Sequence, residues 1–234
     1  MNKFQAATTA LALFALAPLA AQAVEVRVTV TGVVDFNVIA GGMAGIPAGA
    51  PVSMAFSVDS NNFLNSPSFP TRGYIVDLAS FSMTVGGTAV SMDIPQPDGA
   101  TTYFVLRNND PAIDGFFLSP GVDLDFPLSV HIPGLAPAHE LSFKHTLANG
   151  TTLSSLNILD AAGSYNLSTN VSSYLFGIGR FGNFGAEYTP QQLTIAVVPE
   201  PNGLWLMGLV ACCCGGAPGG RRPDLPATGH LADA

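Results

Sequence analysis

Alternation of apolar and polar residues, rather than any helical period, runs through most of this chain. Val24, Val26, Val28 and Val30 alternate with Glu25, Arg27, Thr29 and Thr31, the period-2 signature of a strand with one apolar and one polar face. Gly32 permits a bend, and residues 33–38 continue extended. Val52 to Val58 is a second strand, which the turn-forming run Asp59-Ser60-Asn61-Asn62 is expected to close. Gly73–Val76 and Ser80–Val85 read as separate strands, and Gly86-Gly87 before Ala89-Val90 marks a two-residue hairpin turn.

Further strand-like stretches follow at Thr101–Leu106, Ile113–Leu118, Val122–Ile132, Leu141–Phe143, Thr151–Ile158, Tyr165–Leu167, Val171–Phe176 and Leu193–Val198. Gly, Pro, Asn and Asp separate them, and Ala40–Pro51 and Asn65–Pro70 read as loops. Only Leu153–Ala162 has the makings of a short helix. No stretch repeats at a solenoid or propeller period. The pattern predicts an all-β fold, an antiparallel, jelly-roll-like β-sandwich.

Both ends depart from the alternation. Lys3 precedes the apolar core Leu11–Leu19, and Ala21-Gln22-Ala23 fits a small-x-small signal-peptidase site. The expected order is a signal peptide over 1–23, forming an N-terminal signal helix, then a β-sandwich domain over 24–197. Beyond it come Pro199-Glu200-Pro201, the apolar run Leu204–Val210 and the pair Arg221-Arg222.

Composition narrows the partners. The net charge is −8, only 10% of residues are charged, and Arg27, Arg72, Arg107, Lys144 and Arg180 stand singly along the domain. Such scatter offers no phosphate-tracking stripe, so nucleic acid is not an expected partner. All three cysteines, Cys212, Cys213 and Cys214, lie in the tail, which leaves the domain without disulfides or a thiol nucleophile.

Candidate chemistry is sparse. His131, His139, Glu140 and His145 are the best metal-ligating cluster, but Phe143 stands where a zinc-protease motif begun at His139 needs its second histidine. Asp123 and Asp125 share a strand face near Asp114, too few oxygens for a calcium shell. Gly177-Ile178-Gly179-Arg180-Phe181-Gly182 spells the dinucleotide fingerprint, yet no helix pattern follows to meet a pyrophosphate. Asn149, Asn166 and Asn170 open N-glycosylation-type triplets, and Leu225–Gly229 spells a sortase-like motif with only five residues behind it. No nucleophile elbow is present, and Trp205, the single Trp, lies in the tail. These readings imply no catalytic residue, no metal and no cofactor.

The tail resembles the sorting signal of bacterial PEP-CTERM proteins, the substrates of exosortases. Its parts are the Pro-Glu-Pro signature at 199–201, an apolar segment and terminal arginines. The openings Val26-Arg27-Val28-Thr29-Val30-Thr31-Gly32 and Val58-Asp59-Ser60-Asn61 are similar to strands in exported members of that group. The resemblance implies a sorting segment over 198–222 with Pro199, Glu200 and Pro201 as its recognition element, followed by a polar, disordered tail over 223–234; the signal-peptidase site formed by Ala21 and Ala23 puts the expected cleavage before Val24. It further implies an exported, non-enzymatic envelope or extracellular-matrix protein, anchored transiently in the membrane. Its partners would be an exosortase-like enzyme, the inner membrane during export, and exopolysaccharide. The alternative is a secreted glycan-binding adhesin or hydrolase on the same scaffold.

The apolar run Leu204–Cys214 measures only about 16 Å as a helix, against a hydrocarbon core of ~30 Å. Gly215–Gly220 interrupts it, and Pro223–Ala234 extends past the arginines. A frameshift or divergence after Val210 accounts for both departures. Translating the two other reading frames of the gene beyond Val210 is expected to reveal an apolar segment ending in arginines; finding none in either frame sinks the frameshift.

Overall fold

The computed structural model describes residues 23–199 apart from 124–125, 136–138 and 181–182. The expected signal segment over 1–22 and everything from Glu200 onward lie outside the described residues. The chain divides into two units, 1–198 and 199–234, and only the first is considered below.

Eleven strands form one antiparallel sheet. In chain order they are β1 (Glu25–Asn37), β2 (Pro51–Asn65), β3 (Thr71–Val85), β4 (Thr88–Met92), β5 (Tyr103–Arg107), β6 (Gly115–Ser119), β7 (Leu128–His131), β8 (His139–Leu147), β9 (Gly163–Asn166), β10 (Val171–Arg180) and β11 (Asn183–Val197). The all-β expectation holds. The sandwich does not: pairing runs β1-β2-β3-β5-β6-β8-β10-β11 and returns to β1, an eight-stranded closed barrel. Alternation cannot separate the two architectures, because both need one apolar and one polar face per strand. The long-range pairing of β1 with β11 decides it.

β3 and β8 each serve two neighbours. The first half of β3 pairs with β5 and its last residues with β4, while β8 pairs with β7 at its start and with β6 later. The β4–β7 pair thus completes the wall at one end and β5–β6 at the other. The first end carries the 38–50 connection and the Gly86-Gly87 turn. The second carries Val24, Val198 and the β2–β3 hairpin, and is called the chain-end face below.

Three bulges re-phase the alternation so that each long strand keeps its apolar side inward. On β11, residue 191 is skipped opposite Thr31–Gly32, and inward positions change from Ala186 and Tyr188 to Leu193 and Ile195. Pro190, which lacks a ladder donor, sits at this irregularity. On β3, the six residues from Asp77 to Ser82 lie against three on β2, Ala55 to Ser57, and the buried set moves from Tyr74 and Val76 to Met83 and Val85. The Asp77 carboxylate accepts from Ala79 N at 3.0 Å, and the Ser80 hydroxyl donates to Asp77 O at 2.6 Å, which holds the loop-out. Gly73–Val76 and Ser80–Val85 are therefore one strand.

The third bulge corrects the expected end of β2. Val58 pairs with Val76 and Phe63 with Tyr74, so Asp59–Asn62 bulges without reversing the chain. The local chemistry is still that of a turn, with the Asp59 carboxylate accepting from Asn61 N at 2.8 Å.

One continuous core fills the barrel, including Val26, Val28, Met54, Phe56, Phe104, Phe116, Phe143 and Phe176. Burying each such side chain contributes roughly 1.5–3 kcal/mol. Loops close both ends. At the first, Met43 is buried and the Asn37 amide donates to Met43 O at 2.6 Å. At the chain-end face, Leu153, Ile158 and Ala161 plug the interior. The 148–162 segment is neither the strand nor the helix its sequence suggested; its backbone is held by side chains of the barrel wall.

Two glycines are required by close approach. A Cβ at Gly32 would lie 2.4 Å from Thr189 O, and one at Gly73 would lie 2.5 Å from the Val122 side chain, which covers the wall there. Thr71 donates to Val122 O at 2.7 Å and fixes that cover. Gly32→Ala is expected to force β1 from β11 and cost at least ~1 kcal/mol, lowering Tm by roughly 2–4 °C in a domain of this size. An unchanged melting curve would mean the bulge absorbs the methyl group.

Candidate functional site

The chain ends meet on neighbouring strands. Val26 pairs with both Val58 and Val197, Val24 N donates to the Ser60 hydroxyl at 3.1 Å, and Ser60 N donates to Val24 O at 3.0 Å. On the other strand Val198 N donates to Glu25 O at 2.9 Å. Pro199 follows, exposed and without an N–H, so the ladder cannot continue through it. Ala23 is likewise exposed, one residue before the first paired backbone group. Of the expected recognition and cleavage residues, Ala23 comes two residues before β1 and Pro199 two residues after β11; Ala21, Glu200 and Pro201 lie outside the described residues.

The histidine cluster disperses. His131 ends β7 and is exposed, whereas His139 and Glu140 open β8. His145 lies six residues farther along β8, about 20 Å at the strand rise, and is fully buried. Among the described residues, no three His, Cys, Asp or Glu side chains converge as a metal-binding group. His139 and Glu140 instead border a cleft of about 340 Å³ with Gln96, Ser129 and the prolines 97, 120 and 127. One wall is stiffened by Gln96, whose amide donates to Asp93 O and Ser129 O and accepts from Ser129 N, at 2.9, 3.0 and 2.9 Å. The Ser129 hydroxyl donates to Asp93.

Asp114 proves to be structural. It is fully buried, and its two carboxylate oxygens accept from Asn109 N at 2.8 Å and from Thr152 N and Leu153 N, both at 2.7 Å. Three backbone donors satisfy the buried charge and leave it poorly suited to a cation. Asp125 lies outside the described residues. Tyr74 supplies the second anchor for the same segment, donating to Leu156 O at 2.8 Å and accepting from Ile158 N at 2.9 Å. Sequence reading missed both anchors, since nothing in one chain links Tyr74 to a loop more than eighty residues away.

The first four residues of the dinucleotide-like run, 177–180, lie in β10 with Gly177 and Gly179 buried, so these described residues form no helix N-terminus. Asn166 and Asn170 are exposed turn residues: Asn166 accepts from Ser168 N at 2.9 Å, and Asn170 takes φ 56°. Asn149 is half-buried beside the Asp114 anchor, where its backbone oxygen accepts from Asp114 N at 3.0 Å.

Two interior polar groups stand out. His145 faces Phe116 on β6 and stacks against Tyr174 of β10 at 6.4 Å, and neither ring nitrogen has a hydrogen-bond partner. Burial lowers its pKa to about 4. The Tyr188 hydroxyl is also unpartnered, its ring packed edge-on to Phe176 at 5.1 Å, and burial pushes its phenol up.

No family model matches this chain, and no curated protein or solved structure matches it either.

His145 makes stability depend on pH. The unfolded imidazole titrates near 6.5 and the folded one near 4, so the unfolded state binds the proton first as pH falls. This contribution is complete above about 6.5 and is lost on descending toward 4, reaching about 3 kcal/mol. Denaturant titrations of wild type and His145→Phe should diverge across that window, with the variant the flatter. Parallel curves would show that His145 is protonated at no cost in the fold.

Proposed function

We propose that this barrel is the folded body of an exported envelope or extracellular-matrix protein, non-enzymatic in role, carrying a PEP-CTERM-like signal that an exosortase-like enzyme reads at Pro199, Glu200 and Pro201. The observation that carries the reading is the position of Pro199. The last described ladder bond is made by Val198, and the recognition element begins immediately after it on an exposed residue. A processing enzyme needs an extended, unpaired substrate, and a residue preceding proline is biased to that conformation. The fold also starts directly behind the expected cleavage point, with Val24 already paired to Ser60. The first paired backbone group of the barrel thus lies just beyond that point.

Placement in the envelope and contact with exopolysaccharide follow from the same reading of the tail. A glycan-binding or hydrolytic role has the proline-walled cleft as its concave candidate. A His-Glu pair there does not assemble a nucleophile, an oriented base and an oxyanion donor, so the structural role is preferred.

Cell fractionation with mass spectrometry of both termini tests the reading. The protein is expected in the envelope or medium, beginning at Val24 and lacking the peptide beyond the Pro-Glu-Pro site. Glu200→Ala is expected to keep that peptide. Full-length cytoplasmic protein with residues 1–23 attached, or identical C-termini in wild type and variant, would overturn it.

A further inference from the structure

The exposed apolar side chains of the barrel are distributed unevenly. Ten large ones are more than a third exposed. Phe63, Leu64, Phe69, Leu159, Tyr174 and Val197 lie at or beside the chain-end face. Among the described residues the opposite end carries only Phe36 and Val38, and Ile94 and Phe126 lie between. At the chain-end face the β2–β3 hairpin projects past the level of the paired β1 and β11 ends, with β5 beside it as far as the Thr71–Arg107 pair. Val76 is level with Val58 and Val26, while Arg72 at the hairpin end lies four residues beyond it, about 13 Å along the strand. The hairpin presents Phe63, Leu64 and Phe69 at 40, 49 and 46% exposure.

Its construction keeps those side chains outward. The Arg72 guanidinium stacks over Phe63 at 4.2 Å and its Nε donates to the Asn65 side chain at 2.7 Å. The turn is closed by the Ser66 hydroxyl, which accepts from Ser68 N at 3.0 Å and Phe69 N at 2.9 Å. An apolar tip with a cation folded back along its stem resembles the amphipathic arrangement that rests at a membrane interface.

Both described chain ends leave the barrel from this same face. Four residues lie between Pro199 and Leu204, where the apolar run begins, and the five extended steps across them reach at most ~18 Å. A bilayer holding Leu204–Val210 would therefore lie within reach of the hairpin tip. We propose that the chain-end face docks on a lipid bilayer, with Phe63, Leu64 and Phe69 entering the boundary between headgroups and acyl chains. The inference rests on reading the tail as a membrane-sorting segment. Tethering by the tail supplies the local concentration that three part-exposed side chains would lack alone.

The surrounding charge specifies the lipid. Glu25, Asp59 and Asp77 line a shallow depression on the same face, and the whole chain carries −8. Apolar insertion therefore drives the docking, and anionic headgroups weaken it.

The test combines flotation of the full chain on phosphatidylcholine vesicles with hydrogen exchange of the floated protein. Amides of 63–72 are expected to slow at least about fivefold on the vesicles, with those around Gly86-Gly87 at the opposite end unchanged. Leu64→Ser/Phe69→Ser should still float through its tail, keep the wild-type melting temperature, and lose the protection. Floating without hairpin protection overturns the docking and leaves the tail reading standing. A chain that does not float overturns both, and protection seen only after phosphatidylglycerol is added overturns insertion by the apolar tip.

Discussion

The first strand and the last must find each other before this molecule has an inside. β1 lies between β2, its neighbour in sequence, and β11, about 160 residues away, and it pairs with β11 nearly end to end. Without that contact the remaining strands form an open sheet with two raw edges and half-wetted valines. With it, Val26, Val28 and Val30 meet Leu193, Ile195 and the aromatic rows from β6, β8 and β10 in one core, and the open edges of β1 and β11 are paired. The closure entropy is large in absolute terms, but it grows only as the logarithm of the loop length. Long ladders of thirteen and fifteen residues offset it.

Closing the wall leaves two open mouths, which are managed differently. At one, the 38–50 connection folds inward over Met43 and is fastened by Asn37. At the other, Leu153, Ile158 and Ala161 would be a greasy loop of little structure on their own. They become a plug because Asp114 and Tyr74, both on the wall, satisfy four polar groups of that backbone. A loop buried without such partners would leave orphaned amides costing about 1–3 kcal/mol each. The carboxylate that resembled part of a calcium site is a bracket for the plug.

The interior and the exterior carry different functional weight. Inside, His145 and Tyr188 are tolerated polar groups in an apolar barrel, and their unpartnered atoms lower stability without forming a site. Outside, the asymmetry is longitudinal. Chain ends, plug and the aromatic hairpin share one face, while the opposite end holds tight turns. A barrel tethered by its terminus to a surface would present that face to the surface and the other to the medium.

Alternation along β1, β2 and β10, the Gly86-Gly87 turn and the absence of helical periods were sufficient for the all-β class, because side-chain period and turn chemistry are local properties of the chain. The same local signals misplaced boundaries wherever an Asp or Ser turn motif was absorbed as a bulge, at 59–62 and at 77–81. Such motifs satisfy backbone groups equally well in a reversal or in a loop-out, and the neighbouring strand decides which. The proposed sorting role rests on the linear Pro-Glu-Pro segment at 199–201, a local feature of the sequence. Barrel closure, the roles of Asp114 and Tyr74, the burial of His145 and the gathering of apolar side chains on the chain-end face were decided only by the tertiary structure. Each depends on pairing between residues tens to more than a hundred positions apart, and a single sequence holds no record of that distance.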